Sequence, residues 1–209
     1  MANTDAQSLA LSACEDRVQI GKELTKGIGA GANPNIGKAA AEEDIEEIIA
    51  KVGDAHMCFI TAGMGGGTGT GAAPIIARAL RERDILTVGM VSMPFRFEGK
   101  RKMQVALQGI EQLRDSVDTL ILVQNERLLV TVSQSGLNKA PLNSAFKMVD
   151  NIFYDGIKIV ADLIIKPSLI NVDFADVRTI MQGPRWGIMS SGKQYTPLLS
   201  FYYLNFYFY

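Results

Sequence analysis

The sequence predicts an α/β protein built on a parallel sheet with helices on both faces. Two observations carry that reading. Helix-like and strand-like segments alternate along residues 15–165, as they do where helical crossovers join parallel strands. At the centre of this alternation, an apolar run at 57–61 enters Gly63-Met64-Gly65-Gly66-Gly67-Thr68-Gly69-Thr70-Gly71. A helix-like run at 72–83 follows, with Pro74 in its first turn. Taken in order, 15–20 reads as a short strand or edge segment, and 36–52 as a helix after the Asn33-Pro34 turn. Then come a strand at 85–92, a helix at 100–116, a strand at 119–124 and a long helix at 142–165. Residues 169–171 open a further loop or strand, and no internal repeat is evident.

A strand, a glycine loop and a helix start, in that order, make an anion site. Glycine lets backbone approach a phosphate closely, and the first helical N–H groups point at it with the positive end of the helix dipole. Thr68 and Thr70 add hydroxyl donors. No lysine follows, so the loop is not a Walker A sequence. Gly67-Thr68-Gly69-Thr70-Gly71-Ala72 fits the dinucleotide pattern G-x-G-x-x-A, but the acidic residue expected about twenty positions on is missing. That argues against a dinucleotide-dependent oxidoreductase. A flexible linker is the plain alternative; linkers are not bracketed by an apolar strand and a helix. On this reading, a valine at Gly67 blocks the phosphate and demands a disallowed backbone angle, with the fold retained.

Composition narrows the classes. With 47% hydrophobic residues, 21% charged residues and a net charge of −1, the chain reads as a soluble globular protein, with nothing that points to nucleic acid. Glu42-Glu43-Asp44 and Glu46-Glu47 form the solvated side of a helix that turns Ile45, Ile48 and Ile49 inward. Cys14 and Cys58 have no metal spacing, and His56 has no triad partner, so the sequence contains no independent metal site. Gly183-Pro184-Arg185-Trp186-Gly187 is turn-like. The apolar, aromatic stretch at 198–209 is too short to span a bilayer as a helix, which needs about twenty residues. Direct membrane insertion is not expected.

Read residue by residue, 63–74 resembles the tubulin-type GTP-binding signature in its bacterial FtsZ form. Asn3-Thr4-Asp5-Ala6-Gln7, Gly27-Ile28-Gly29-Ala30-Gly31-Ala32-Asn33-Pro34, Pro94-Phe95-Arg96-Phe97-Glu98-Gly99 and Asn171-Val172-Asp173-Phe174-Ala175-Asp176 are similar to FtsZ segments, in the family's order. The resemblance covers residues 3–182. It implies a partial tubulin/FtsZ-type GTPase domain over 1–182, lacking the family's first strand and first phosphate loop, with the second domain missing. Residues 183–209 form an aromatic tail that does not resemble the family.

The resemblance implies GTP as ligand, Mg²⁺ arriving with it, and self-association into filaments that act with other division proteins. Asn3 falls near the phosphates and ribose, and Ala30, Gly31 and Ala32 near the γ-phosphate. Gly65, Gly66, Gly67, Thr68, Gly69 and Thr70 cradle the α- and β-phosphates. Glu98 stands at the ribose and Lys102 at a position that is usually Arg. Asn125 and Asp150 stand at the guanine-reading positions and Phe146 at the base-stacking one. Asn171, Asp173 and Asp176 reach the nucleotide of the next subunit, where they complete hydrolysis in trans. From the residues alone, Asp173 or Asn171 also reads as a helix cap. Gln124, Glu126, Ile159 and Ser168 depart from the family's usual residues. The missing first loop leaves a second reading open: an interaction module that contacts filaments without binding nucleotide. Residues 18–25 and 132–135 look like plastid-type FtsZ, which implies the chloroplast stroma or a cytoplasm as location, and cell or plastid division as the process.

Overall fold

The computed structural model describes residues 1–127, 142–165, 173–182, 185–188, 191–196, 199–204 and 207–208. The expectations placed on 132–135, Ser168, 169–171 and Asn171 lie outside them. Strands β1 (Ala2–Asn3) and β2 (Val18–Gln19) form a small parallel pair. The main sheet runs β3 (Met57–Gly63), β4 (Leu86–Met93), β5 (Thr119–Gln124) and β6 (Arg185–Ile188), all parallel, with β9 (Tyr207–Phe208) antiparallel at the far edge. Strands β7 (Ser191–Thr196) and β8 (Leu199–Leu204) pair separately, antiparallel.

Helices cover both faces of the main sheet. In β4, seven of the eight residues are buried, the pattern of a parallel strand covered on both sides. On one face Ile60, Val91 and Leu120 meet Ala73, Ala77 and Leu80 of α5 (Thr68–Arg81) and Ala106, Ile110 and Leu113 of α6 (Lys100–Arg114). On the other, Val88, Met90 and Ile121 meet Val160 of α7 (Leu142–Ile165) and Val177 and Met181 of α8 (Phe174–Met181). The α/β class with helices on both faces is what the alternation predicted.

Several element boundaries differ from expectation, each for a local reason. The predicted helix at 36–52 is two helices, α3 (Pro34–Glu43) and α4 (Ile45–Val52), broken at Asp44. The Asp44 carboxylate accepts a hydrogen bond from Gly21 N–H at 2.6 Å, so this residue serves as an anchor rather than as part of a solvated face. Two short helices, α1 (Ala6–Ala10) and α2 (Lys22–Thr25), precede α3. Helix α5 begins at Thr68, inside the glycine run, which puts Pro74 beyond the first turn. Within the stretch 183–187 read from sequence as turn-like, Arg185 opens β6, which runs to Ile188 and extends the main sheet along β5.

Helix α8 lies at the starting ends of the strands. The Phe174 ring is 5.9 Å from that of His56, which precedes β3. Arg178 pairs with Asp84, which precedes β4. Met181 C=O accepts from the hydroxyl of Thr119, the first residue of β5, at 2.8 Å.

Candidate functional site

At the opposite, carboxyl ends of the same strands is a cavity of about 310 Å³. It is lined by Gly66 of the glycine turn, Glu98 and Lys102 beside the start of α6, Asn125 after β5, and Phe146 and Asp150 of α7. Six residues from four separate stretches of sequence thus meet in one space. Crevices at the carboxyl ends of parallel strands are where open α/β sheets hold ligands.

The cavity offers hydrogen-bond acceptors on one wall. Asn125 is 4% exposed, and its Oδ1 is buried with no hydrogen-bond partner among the described residues. A buried acceptor left unpaired costs about 1–3 kcal/mol, so such an atom at a cavity wall points to a ligand donor. Asp150 lines the same cavity from α7. Phe146 is half-exposed and stands edge-on to the fully buried Phe95, with ring centroids 5.3 Å apart. That contact fixes one edge of the Phe146 ring and leaves it able to stack on a planar ligand.

Glu98 and Lys102 are bound to each other. Glu98 accepts from Phe95 N–H at 2.8 Å through one oxygen and pairs with the Lys102 ammonium through the other. Lys102 is the one cation among the lining residues, so an anionic ligand would rely mainly on backbone N–H groups of the turn.

The glycine run does several jobs rather than one. Gly66 has open space where a Cβ would stand. At Gly65, with φ +98°, a Cβ would meet Lys102 at 2.7 Å. A Cβ at Gly67 would lie 2.8 Å from that of Ala30 and 2.9 Å from Asn33 N, and one at Gly71 would lie 2.0 Å from Pro34 O. These two glycines let α3 and its preceding loop close on α5. Gly67 has φ −82°, an ordinary helical angle, so the predicted strain there is replaced by a packing constraint.

Thr70 is 2% exposed, and its hydroxyl oxygen accepts Gly65 N–H at 2.8 Å. It holds the turn in shape and does not line the cavity. Thr70→Val keeps the volume and leaves that N–H unpaired, so a loss of about 1–3 kcal/mol is expected by chemical denaturation. A change below about 0.5 kcal/mol would mark the bond as unimportant.

The remaining expected residues lie elsewhere. The Thr68 hydroxyl bonds that of the fully buried Thr4 at 2.6 Å. Asn3 and Gly69 line a separate groove with Thr68. Ala30 is buried against Gly67, while Gly31 and Ala32 are exposed, both at positive φ. Asp173 caps α8, its carboxylate accepting Asp176 N–H at 2.9 Å, and Asp176 is exposed in the first turn. Both sit at the starting ends of the strands. A strand the length of β3 rises about 20 Å, so they cannot reach the cavity of their own chain. Sequence reading missed Met64, Ser92, Met93, Pro94, Val149 and Phe153, which complete the cavity wall together with Gly63. Met64 carried a signal through the glycine run and Pro94 through the Pro94–Gly99 motif.

Among the described residues, no helix is long and apolar enough to cross a membrane.

Comparisons with known proteins bear on the family and the fold. Residues 1–133 match the family model described as "Tubulin/FtsZ family, GTPase domain". The chain is 52% identical over 193 residues to the cell division protein FtsZ of Bartonella bacilliformis, covering 92% of this chain and 32% of that protein. It is 51% identical over 193 residues to the mitochondrial division protein fszA of Dictyostelium discoideum, covering 92% and 36%. Among solved structures, an empty FtsZ dimer from M. jannaschii superposes with a TM-score of 0.85 at 43% identity, covering 92% of this chain and 55% of that one. The chain therefore spans between a third and about half of the length of these relatives. A family model that takes in most of the chain, together with half-identity to FtsZ proteins across nine-tenths of it, shows that this chain belongs to the Tubulin/FtsZ family and carries its GTPase-domain fold.

Proposed function

We propose that the chain binds a guanine nucleotide in the cavity bounded by Gly66, Glu98, Lys102, Asn125, Phe146 and Asp150. The unpaired, buried Oδ1 of Asn125, with the Asp150 carboxylate on the same cavity, carries the reading. Guanine presents N1–H and an exocyclic amine on one edge, and both need acceptors. Adenine presents a lone pair at N1, which a carboxylate repels. Phe146 supplies the stacking face, Glu98 an acceptor for ribose hydroxyls, and the turn from Gly65 into α5 the N–H groups for phosphate. Asn3, which lines the groove beside Thr68 and Gly69, and Ala30, Gly31 and Ala32, whose loop packs against Gly67, are assigned to the phosphate end of the ligand. Mg²⁺ enters with the phosphates, as it does where substrate oxygens supply most of its ligands. Among the described residues there is no acidic or His/Cys cluster able to hold it alone.

The second part of the proposal is hydrolysis completed in trans. Asp173 and Asp176 lie at the end of the sheet opposite the cavity. A head-to-tail neighbour presents that end to the cavity of the next copy. Such stacking makes a filament, and its role is division of a cell or organelle, in a cytoplasm or plastid stroma and alongside other division proteins.

The test is competition against a fluorescent GTP analogue. GTP is expected to displace it, with ATP and NAD at least tenfold weaker. Asp150→Ala removes an acceptor for guanine donors, and GTP affinity is expected to fall by about 1–3 kcal/mol, roughly five- to 150-fold, with ATP unchanged. Equal affinity of the unmodified chain for GTP and ATP would overturn the guanine reading. No displacement by any nucleotide would favour the interaction module.

A further inference from the structure

On the guanine-nucleotide reading, we propose that Phe95 is a positioning residue of the cavity: its ring seats the Phe146 platform on which the base stacks, and its backbone N–H holds the ribose acceptor Glu98. Phe95 is not among the residues that line the cavity. It follows Pro94 just beyond the end of β4 and is fully buried. It belongs to neither of the clusters that cover the faces of the main sheet. Its cluster is a separate one with Val149 of α7, and Phe153 packs against it. Phe146, Val149, Asp150 and Phe153 stand at i, i+3, i+4 and i+7, on one face of α7, and all four line the cavity. Phe95 thus backs the helix face that the base would meet.

Two contacts orient the rings. Phe97 lies over Phe95 nearly parallel, at 12° with centroids 5.0 Å apart. Phe146 meets Phe95 at 89°, with centroids 5.3 Å apart. A close-packed buried ring keeps one orientation, and the edge-to-face contact passes it on to Phe146. The main chain of Phe95 does a separate job. Its N–H donates to one Glu98 oxygen at 2.8 Å, and the other oxygen pairs with Lys102. The side chain therefore serves the base and the main chain serves the ribose, so a change of side chain divides the two.

NMR titrations of the full chain, read at the backbone amides of Gly65, Gly66 and Gly67, compare GTP with ribose 5-triphosphate, which has no base. Phe95→Leu keeps an apolar side chain at the site and removes the ring edge. It is expected to weaken GTP about fivefold or more and to leave ribose 5-triphosphate within about twofold. Phe146→Leu is expected to give the same split. Because Phe95 acts through Phe146, the double variant is expected to bind GTP within about twofold of Phe146→Leu alone. One measurement needs no variant: in the unmodified, unliganded chain, the side-chain couplings of Phe146 are expected to report a single χ1 rotamer. Rotamer averaging there, unchanged GTP affinity in Phe95→Leu, equal weakening of both ligands, or additive losses in the double variant overturns the positioning role alone. No binding of either ligand by the unmodified chain overturns the guanine-nucleotide reading itself, and the role with it.

Discussion

Gly66→Val is expected to lower guanine-nucleotide affinity about 100-fold or more, roughly 2.7 kcal/mol, with the melting temperature held. Gly66 lines the cavity, and a Cβ there meets nothing within 4 Å, so the new side chain fills ligand space without touching protein. The neighbouring change gives the opposite split. Gly67→Val drives a branched side chain into Ala30 and the Asn33 backbone, which lie 2.8 and 2.9 Å from the new Cβ alone. Overpacking of this kind costs about 1–3 kcal/mol, so Gly67→Val is expected to melt early whether or not it binds. Thermal unfolding and GTP titration of the two variants separate the roles. Full binding by Gly66→Val would move the ligand out of this cavity.

The other large effect is expected at Asp176. Mixed with an intact FtsZ, the unmodified chain is expected to change phosphate release in proportion to its amount, and Asp176→Ala to abolish that change. The side chain is exposed, and the hydrogen bond at this position uses the backbone N–H, which alanine keeps. The cost to folding is therefore limited to the loss of an acidic group from a helix start, about 0.3–1 kcal/mol. Asp173→Ala is the less clean variant, because it removes the cap of α8 as well. Identical rates with either folded chain would mean that this edge does not act on a neighbour.

The fold class was legible because it rests on periodicity. The parallel sheet core 57–63, 86–93 and 119–124 stands within two residues of where apolar runs predicted it. What escaped the sequence were features set by contacts distant along the chain. The break at Asp44 depends on Gly21, twenty-three positions away, and the strand at 185–188 depends on the edge of β5. The glycine run shows the same limit. Its composition announced close backbone approach, but to what could be settled only by the structure: Gly67 and Gly71 face α3 and its loop, and Gly66 faces the cavity. Residues 98, 102, 125, 146 and 150 carry no local pattern, and the family resemblance alone picked them out. Their meeting in one cavity is the independent observation that the structure adds.

The most direct measurement is an NMR titration of the isotope-labelled chain with GTP. Saturable shifts are expected at the backbone amides of Gly65, Gly66 and Gly67 and at the Asn125 side-chain amide, with α8 unmoved below the concentration at which copies associate. ATP at the same concentration is expected to leave the Asn125 amide in place. Shifts confined to other parts of the chain, or an Asn125 amide that answers equally to both nucleotides, would contradict a guanine site at the carboxyl ends of these strands.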